Sequence, residues 1–255
     1  MRIFISGSLA YDRIMDFPGR FSDHIMPDKL HILNVSFNVS GLIERPGGTA
    51  GNIAYALSLL GGKPIIMATI GQDHHRYFQW LEKHGIPRDG IRIIEEETTA
   101  SAYITTDRAD NQITAFNPGA MKLPSLYDLD SATPGDSIGI VAPGNLEDMM
   151  TYSMEYRRKG ISYLFDPGQS IPVWDSDQML VCIEGAQTLI SNDYELEMIM
   201  EKTHIGKSEL LQRTGVIITT KGEEGSVVAT EAGEVSVPAI QRPNTLVDPT
   251  GAGDA

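Results

Sequence analysis

Cysteine is nearly absent from these 255 residues: Cys182 is the only one, so no internal disulfide can form and packing alone must hold the fold. It falls in an apolar helical pattern, which predicts a reduced, cytoplasmic setting and no catalytic thiol. Basic residues are scarce as well, 20 Lys and Arg against 34 Asp and Glu, for a net charge of −14. Such a field repels nucleic acid and anionic membranes, and no local basic patch counters it, so neither is an expected partner. No apolar stretch approaches the length of a membrane span. Met1 to Ile5 run straight into a strand pattern and then Gly7, which predicts no signal peptide. What is present, 41% apolar residues over this length, suits one α/β domain with a sizeable core and an appendage.

Short apolar runs alternate with helical patterns. Strands are predicted over residues 3–6, 64–70, 137–142, 162–165, 188–191 and 216–219, and helices over 49–60, 73–84, 146–159, 175–184, 193–202 and 207–213. That alternation argues for a mostly parallel sheet covered on both faces, a three-layer α/β/α sandwich. Each strand runs into a polar or glycine-bearing motif: Ser8 to Asp12, Gly71 to Asp73, Pro143 to Asn145, Asp166 to Gly168, Asn192 to Glu195, Thr220 to Gly222. In open α/β sheets ligands bind at the carboxyl ends of the strands, so these motifs are expected on one edge. The rhythm breaks over residues 13–45 and 98–117, where the pattern is β-like: Ser101 to Thr106, a turn, then Gln112 to Phe116. These segments are expected to form a small second sheet beside an α/β body made of 1–12, 46–97 and 118–255.

Two glycine clusters carry the chemistry. At the C-terminal end, Asp248-Pro249-Thr250-Gly251-Ala252-Gly253-Asp254-Ala255 places glycines and a carboxylate where a strand and turn would feed a helix. Backbone N–H groups of Gly251, Ala252 and Gly253 would meet a phosphate there, and Asp254 would accept the proton of an attacking hydroxyl. That pairing is what phosphoryl transfer to an alcohol requires. The second cluster is Gly47-Gly48-Thr49-Ala50-Gly51-Asn52, ahead of an apolar run to Gly62. Its glycines permit close backbone approach, and Asp12, Gly47, Gly48 and Asn52 are the candidates for gripping substrate hydroxyls.

These motifs, with Gly7 to Asp12, Asn192-Asp193-Tyr194-Glu195 and Thr220-Lys221-Gly222, resemble in order those of the ribokinase-like (PfkB) family of carbohydrate and nucleoside kinases, over the whole chain. The resemblance implies ATP and Mg²⁺ as cofactors and the small sheet as a lid over the substrate, through which a homodimer is a candidate assembly. It places Glu195 at Mg²⁺, directly or through water, and Asn192, Thr220, Lys221, Gly222 and Gly225 at the nucleotide. It makes Asp248 and Thr250 candidate ligands of an activating K⁺, against the plainer reading that Asp248 caps a turn before Pro249. Ribokinase-type sugar kinases carry an Asn two residues before the first-motif Asp; this chain has Ala10. The more apolar pocket suits a nucleobase, and the runs Ile113 to Met121 and Phe165 to Gln169 resemble prokaryotic adenosine or nucleoside kinases. Tyr11, Tyr103, Phe116 and Met121 are then candidates to line a base pocket, and phosphorylation of adenosine to AMP is the leading expectation. A ribokinase- or fructokinase-type sugar kinase is the alternative. Family members also continue past the catalytic Asp, so a substrate-binding or dimerisation module without turnover stays open.

Other signals count for less. Gly206-Lys207-Ser208 imitates the end of a Walker loop, but the first glycine that loop requires would fall at Glu201. His74, His75 and His84 have no partner ligands at metal spacing. Met149, Met150, Met154, Met198 and Met200 read as core filling.

Overall fold

The computed structural model describes residues 1–25, 32, 34–240, 253 and 254. Nine strands build the main sheet: β1 (Arg2–Ser6), β4 (Ile65–Gly71), β5 (Ile91–Ile94), β8 (Ser137–Val141), β9 (Ser162–Phe165), β10 (Thr188–Asn192), β11 (Val216–Thr220), β12 (Ser226–Thr230) and β13 (Gly233–Val237). Their order is β13-β12-β11-β10-β9-β8-β1-β4-β5. Pairing is parallel from β5 to β11 and antiparallel from β11 to β13. The chain builds outward from β1 through β4 to β5, then restarts at β8 on the other side of β1, so the strand order reverses between β1 and β8. Such a reversal opens a crevice at the carboxyl ends of the two strands.

Alternate residues face opposite sides of a strand, and the two cores follow that parity. Phe4, Met67 and Val141 point into a cluster with Met149, Tyr152, Tyr156 and Ile199, under α3 (Leu146–Lys159), α4 (Ser176–Ile183), α5 (Asp193–Thr203) and α6 (Lys207–Thr214). Ile5 and Ile66 point the other way, against Ala50, Ala54, Tyr77 and Leu81 of α1 (Thr49–Leu59) and α2 (His75–Lys83). The result is the expected three-layer sandwich. Cys182 lies fully buried in the first core. Met149 is buried there too and Met150, Met198 and Met200 pack against it, but Met154 is 40% exposed and fills no core.

The small sheet has the order β3-β2-β6-β7, from β2 (Ala10–Asp16), β3 (Leu42–Gly47), β6 (Ala100–Thr106) and β7 (Gln112–Asn117). β2 and β6 run parallel, and the outer pairs are antiparallel.

Three strands went unread in the sequence. β5 has four residues, one of them Arg92, at the sheet edge. β12 and β13 form a hairpin whose Ser226, Thr230 and Ser236 interrupt the apolar pattern. α2 starts at His75 instead of 73 because Asp73 is spent elsewhere: its Oδ1 accepts from Thr99 N at 2.7 Å and Thr99 Oγ1 at 2.6 Å. Among the described residues no helix is long and apolar enough to cross a membrane.

Candidate active site

The crevice at the β1/β8 reversal holds a cavity of about 850 Å³. Ser8 and Asp12 reach it from the first strand and its successor, Gly48, Thr49 and Asn52 from the start of α1, and Pro143 to Glu147 from the end of β8. Asp254 completes this side.

Close backbone contacts explain the glycines. Gly48 has φ +87, and a Cβ there would lie 2.6 Å from Ser8 O; a Cβ on Gly47 would lie 2.4 Å from Asp12 Oδ2. Only glycine lets the turn into α1 lie against both residues. Thr49 stitches the loops together: its N–H donates to Ser8 Oγ (3.0 Å) and its hydroxyl to Pro143 O (2.6 Å). Asn52, one turn into α1, donates from Nδ2 to Asp254 Oδ2 at 2.8 Å.

The far wall comes from the small sheet and two loops. Ala10, Ala102, Phe116, Pro118, Met121 and Val173 supply apolar surface, and Lys122, Asn145, Glu147, Gln169 and Ser170 supply polar groups. Asn145 is fully engaged as the N-cap of α3: its Oδ1 accepts from Asp148 N (3.1 Å) and its Nδ2 donates to Met121 O (3.0 Å). Lys122 pairs with Glu97 at 3.2 Å. Strand register decides which aromatics reach the cavity. Asp12, Ala102 and Phe116 are paired across β2, β6 and β7 and share a face. Tyr11 and Tyr103 alternate to the other face, contrary to the sequence expectation. The Tyr11 hydroxyl donates to Asp73 O (3.0 Å), and that of Tyr103 accepts from Arg13 Nη1 (2.6 Å) under a guanidinium 5.2 Å from its ring.

Asn192 and Glu195 form a capping box on α5. Asn192 Oδ1 accepts from Glu195 N (2.8 Å) while Glu195 Oε2 accepts from Asn192 N (2.9 Å), a stabilising arrangement in its own right. Asn192 is in register with Thr220 on β11. The Lys221 N–H donates to Gly225 O (2.8 Å), and Gly222 and Gly225 take φ of +56 and +97 in a tight turn. These residues lie along the same sheet edge and do not line the cavity. Between the two groups sits Asp166, whose carboxyl is pushed up to about 7 by burial and then by the negative charges of Glu195 and Asp254. Among the described residues no three His, Cys, Asp or Glu side chains cluster tightly enough to hold a metal by themselves. Gly253 has open space around it. Asp248, Thr250, Gly251 and Ala252 lie outside the described residues.

Sequence reasoning missed Glu147, Ser170 and Val173. The motif at the end of β8 pointed to Asn145 and stopped short of the helix that follows. Ser170 and Val173 sit in a 3₁₀ segment (Gly168–Val173) that no periodicity announces.

The switch-point crevice of a doubly wound sheet thus holds a glycine turn and the carboxylates of Asp12 and Asp254. A profile described as pfkB family carbohydrate kinase matches residues 11–255, and the chain belongs to that family. A nucleoside kinase of Methanocaldococcus jannaschii is 31% identical over 225 residues, which cover 87% of this chain and 73% of that protein. The solved structure of a Burkholderia thailandensis nucleoside kinase in complex with inosine superposes with a TM-score of 0.84 at 38% identity, over 99% of this chain and 80% of that one. The same Burkholderia enzyme has been solved with ADP-inosine, at a TM-score of 0.81. The chain is a kinase of ribokinase-like fold.

Proposed function

We propose that this kinase moves the γ-phosphate of ATP to the primary hydroxyl of a nucleoside, with adenosine to AMP as the reference reaction. The observation that carries this reading is the mixed lining of the cavity. Asp12, Gly48 and Asn52 offer polar groups to sugar hydroxyls beside Asp254, and Ala10, Ala102, Phe116, Met121 and Val173 add apolar surface, which a free hexose or pentose would leave uncovered. Gln169, which also lines the cavity and carries both a donor and an acceptor, is the candidate to read the edge of the base. The nucleoside kinases among its relatives support the same choice.

In the reaction Asp254 takes the proton from the attacking hydroxyl, a bond forms from that oxygen to the γ-phosphorus, and the bond to the β-phosphate oxygen breaks. Asn52 anchors one carboxylate oxygen of Asp254 so that the other meets the hydroxyl. The N–H groups of Gly251, Ala252 and Gly253 hold the transferring phosphate. Mg²⁺ would supply charge neutralisation on the nucleotide. The negative charges of Glu195 and Asp254 that help raise the Asp166 carboxyl mark an edge short of positive charge, which suits a cation held largely by water and phosphate oxygens. Asn192, Thr220, Lys221, Gly222 and Gly225 receive the nucleotide, and Asp248 and Thr250 bind K⁺. The reading also includes a cytoplasmic enzyme whose small sheet closes over the substrate and joins a second copy through Ile14, Ile43 and Ile104. These three share the cavity face of that sheet, with Ile43 still 49% exposed.

A thermal-shift panel of adenosine, inosine, cytidine, ribose and fructose tests the reading. Nucleosides should raise the melting temperature and free sugars should not. A shift with ribose or fructose alone would make the enzyme a sugar kinase.

A further inference from the structure

Gly51 is an anomaly by local rules, a glycine inside α1 where alanine would favour the helix by about 1 kcal/mol. Its reason is Tyr77. A Cβ on Gly51 would lie 2.0 Å from the Tyr77 hydroxyl and 3.3 Å from Tyr77 Cζ. Tyr77 projects from α2, is fully buried, and donates its hydroxyl to Gly47 O at 2.6 Å. Its own N–H donates to the Tyr11 hydroxyl at 3.1 Å, and the two rings meet edge to face with centroids 5.6 Å apart. Burial holds the Tyr77 hydroxyl protonated far above neutral pH, so it is a permanent donor.

Gly47 and Gly48 are the turn on which Asp12 rests and from which α1 departs. Gly48 O accepts from Asn52 N at 2.9 Å, which begins the helix that carries the Asn52 amide to Asp254. The Tyr77 hydroxyl therefore stands behind the hydroxyl-binding floor and sets its backbone from outside the cavity. We propose that Tyr77 is a positioning residue for nucleoside binding, acting through the Gly47 carbonyl, and that Gly51 is glycine in order to admit its hydroxyl. This rests on the reading of the cavity as a nucleoside site. Without the donor, Gly47 O loses this buried hydrogen bond, and the turn shifts away from the position at which Asp12 and Asn52 address the same sugar.

The test is a cycle of Tyr77→Phe, Gly51→Ala and the double variant, read by melting temperature, adenosine Kd from calorimetry, and KM against kcat. Tyr77→Phe should weaken adenosine binding and raise its KM about tenfold, with kcat at saturation within about threefold of wild type. Gly51→Ala should lower the melting temperature through its clash with the hydroxyl. In the double variant the hydroxyl is gone, and the 3.3 Å contact with the ring is relieved by a small ring movement. Stability should recover there while adenosine binding stays weak, which separates positioning from packing. Recovery of both stability and affinity would overturn the inference, as would wild-type affinity in Tyr77→Phe or a Gly51→Ala protein as stable as wild type. A wild-type chain that binds no nucleoside would fail the cavity reading and this inference with it; binding that survives Tyr77→Phe overturns this inference alone.

Discussion

The Asn52 amide donates to Oδ2 of Asp254 at 2.8 Å across 202 residues of chain, joining the first turn of α1 to the carboxylate of the terminal glycine motif. Asn52 thereby fixes which way Asp254 presents its oxygens. Asp254→Asn keeps an oxygen for the Asn52 amide but cannot accept a proton. Turnover should fall by about 10²- to 10⁴-fold, while adenosine Kd stays within a few-fold. Steady-state kinetics beside calorimetry separates the two, and near-normal turnover would remove Asp254 from the mechanism.

Gly47→Ala should strike binding and not chemistry. The added Cβ falls 2.4 Å from Asp12 Oδ2, so Asp12 must leave the position from which it would grip a sugar hydroxyl. Adenosine affinity should drop at least about tenfold, and the melting temperature should fall by only a few degrees because the displaced side chain can turn toward the cavity. Titration of the variant with adenosine reads the effect directly. Unchanged affinity would mean that Asp12 binds no hydroxyl.

Asp148 should govern how stability varies with pH. It is buried in the first turn of α3, its Oδ2 accepts from Ser125 N at 2.8 Å, and burial pushes its carboxyl up to about 6 from an ordinary 3.8, with the Ser125 bond pulling the other way. A carboxyl raised in the folded state favours folding most when protonated. Its contribution is complete below about pH 4 and is lost as pH rises through about 6. Asp148→Asn stays neutral and can still accept from Ser125, so it should be more stable than wild type at pH 8, by up to about 3 kcal/mol. The gap should close near pH 4. Urea titrations at the two pH values measure it, and a variant weaker than wild type at pH 8 would contradict the assignment.

Potassium should raise turnover at constant ionic strength, and Asp248→Ala should abolish the rise. A cation bound by Asp248 and Thr250 would hold the N–H groups proposed to meet the phosphate, those of Gly251, Ala252 and Gly253, in place before the nucleotide arrives. Equal rates in K⁺ and in a bulky organic cation would leave Asp248 as a turn cap.

The sheet and its helices were legible in the sequence because a buried parallel strand needs an unbroken apolar run and its helix a 3.6-residue stripe. Ser162–Phe165 and Leu146–Lys159 emerged as read. Elements stabilised by position instead of pattern were not, such as the edge strand Ile91–Ile94 and the hairpin after Gly225. In the site, Asp12, Gly48, Asn52 and Asp254 could be gathered because the strand-end rule brings distant motifs to one edge. Tyr11 could not be sorted from Phe116 by type, since only strand register decides which face an aromatic takes. Glu147 and Val173 join the wall through loop conformations that leave no period in the sequence.

The burial of Cys182 makes the protein its own reporter. The thiol projects from α4 into the core against α3, with Sγ 4.0 Å from Met149 O and its ionisation pushed up to about 12, so a thiol reagent can reach it only when that part of the molecule opens. With a single sulfhydryl in the chain, the labelling rate is a clock for opening, free of competing sites. Any compound that binds only the closed form slows that clock by a factor of one plus its concentration over its Kd. Nucleosides, sugars and nucleotides can therefore be ranked on the unmodified protein by mass spectrometry alone, whether or not phosphate is transferred.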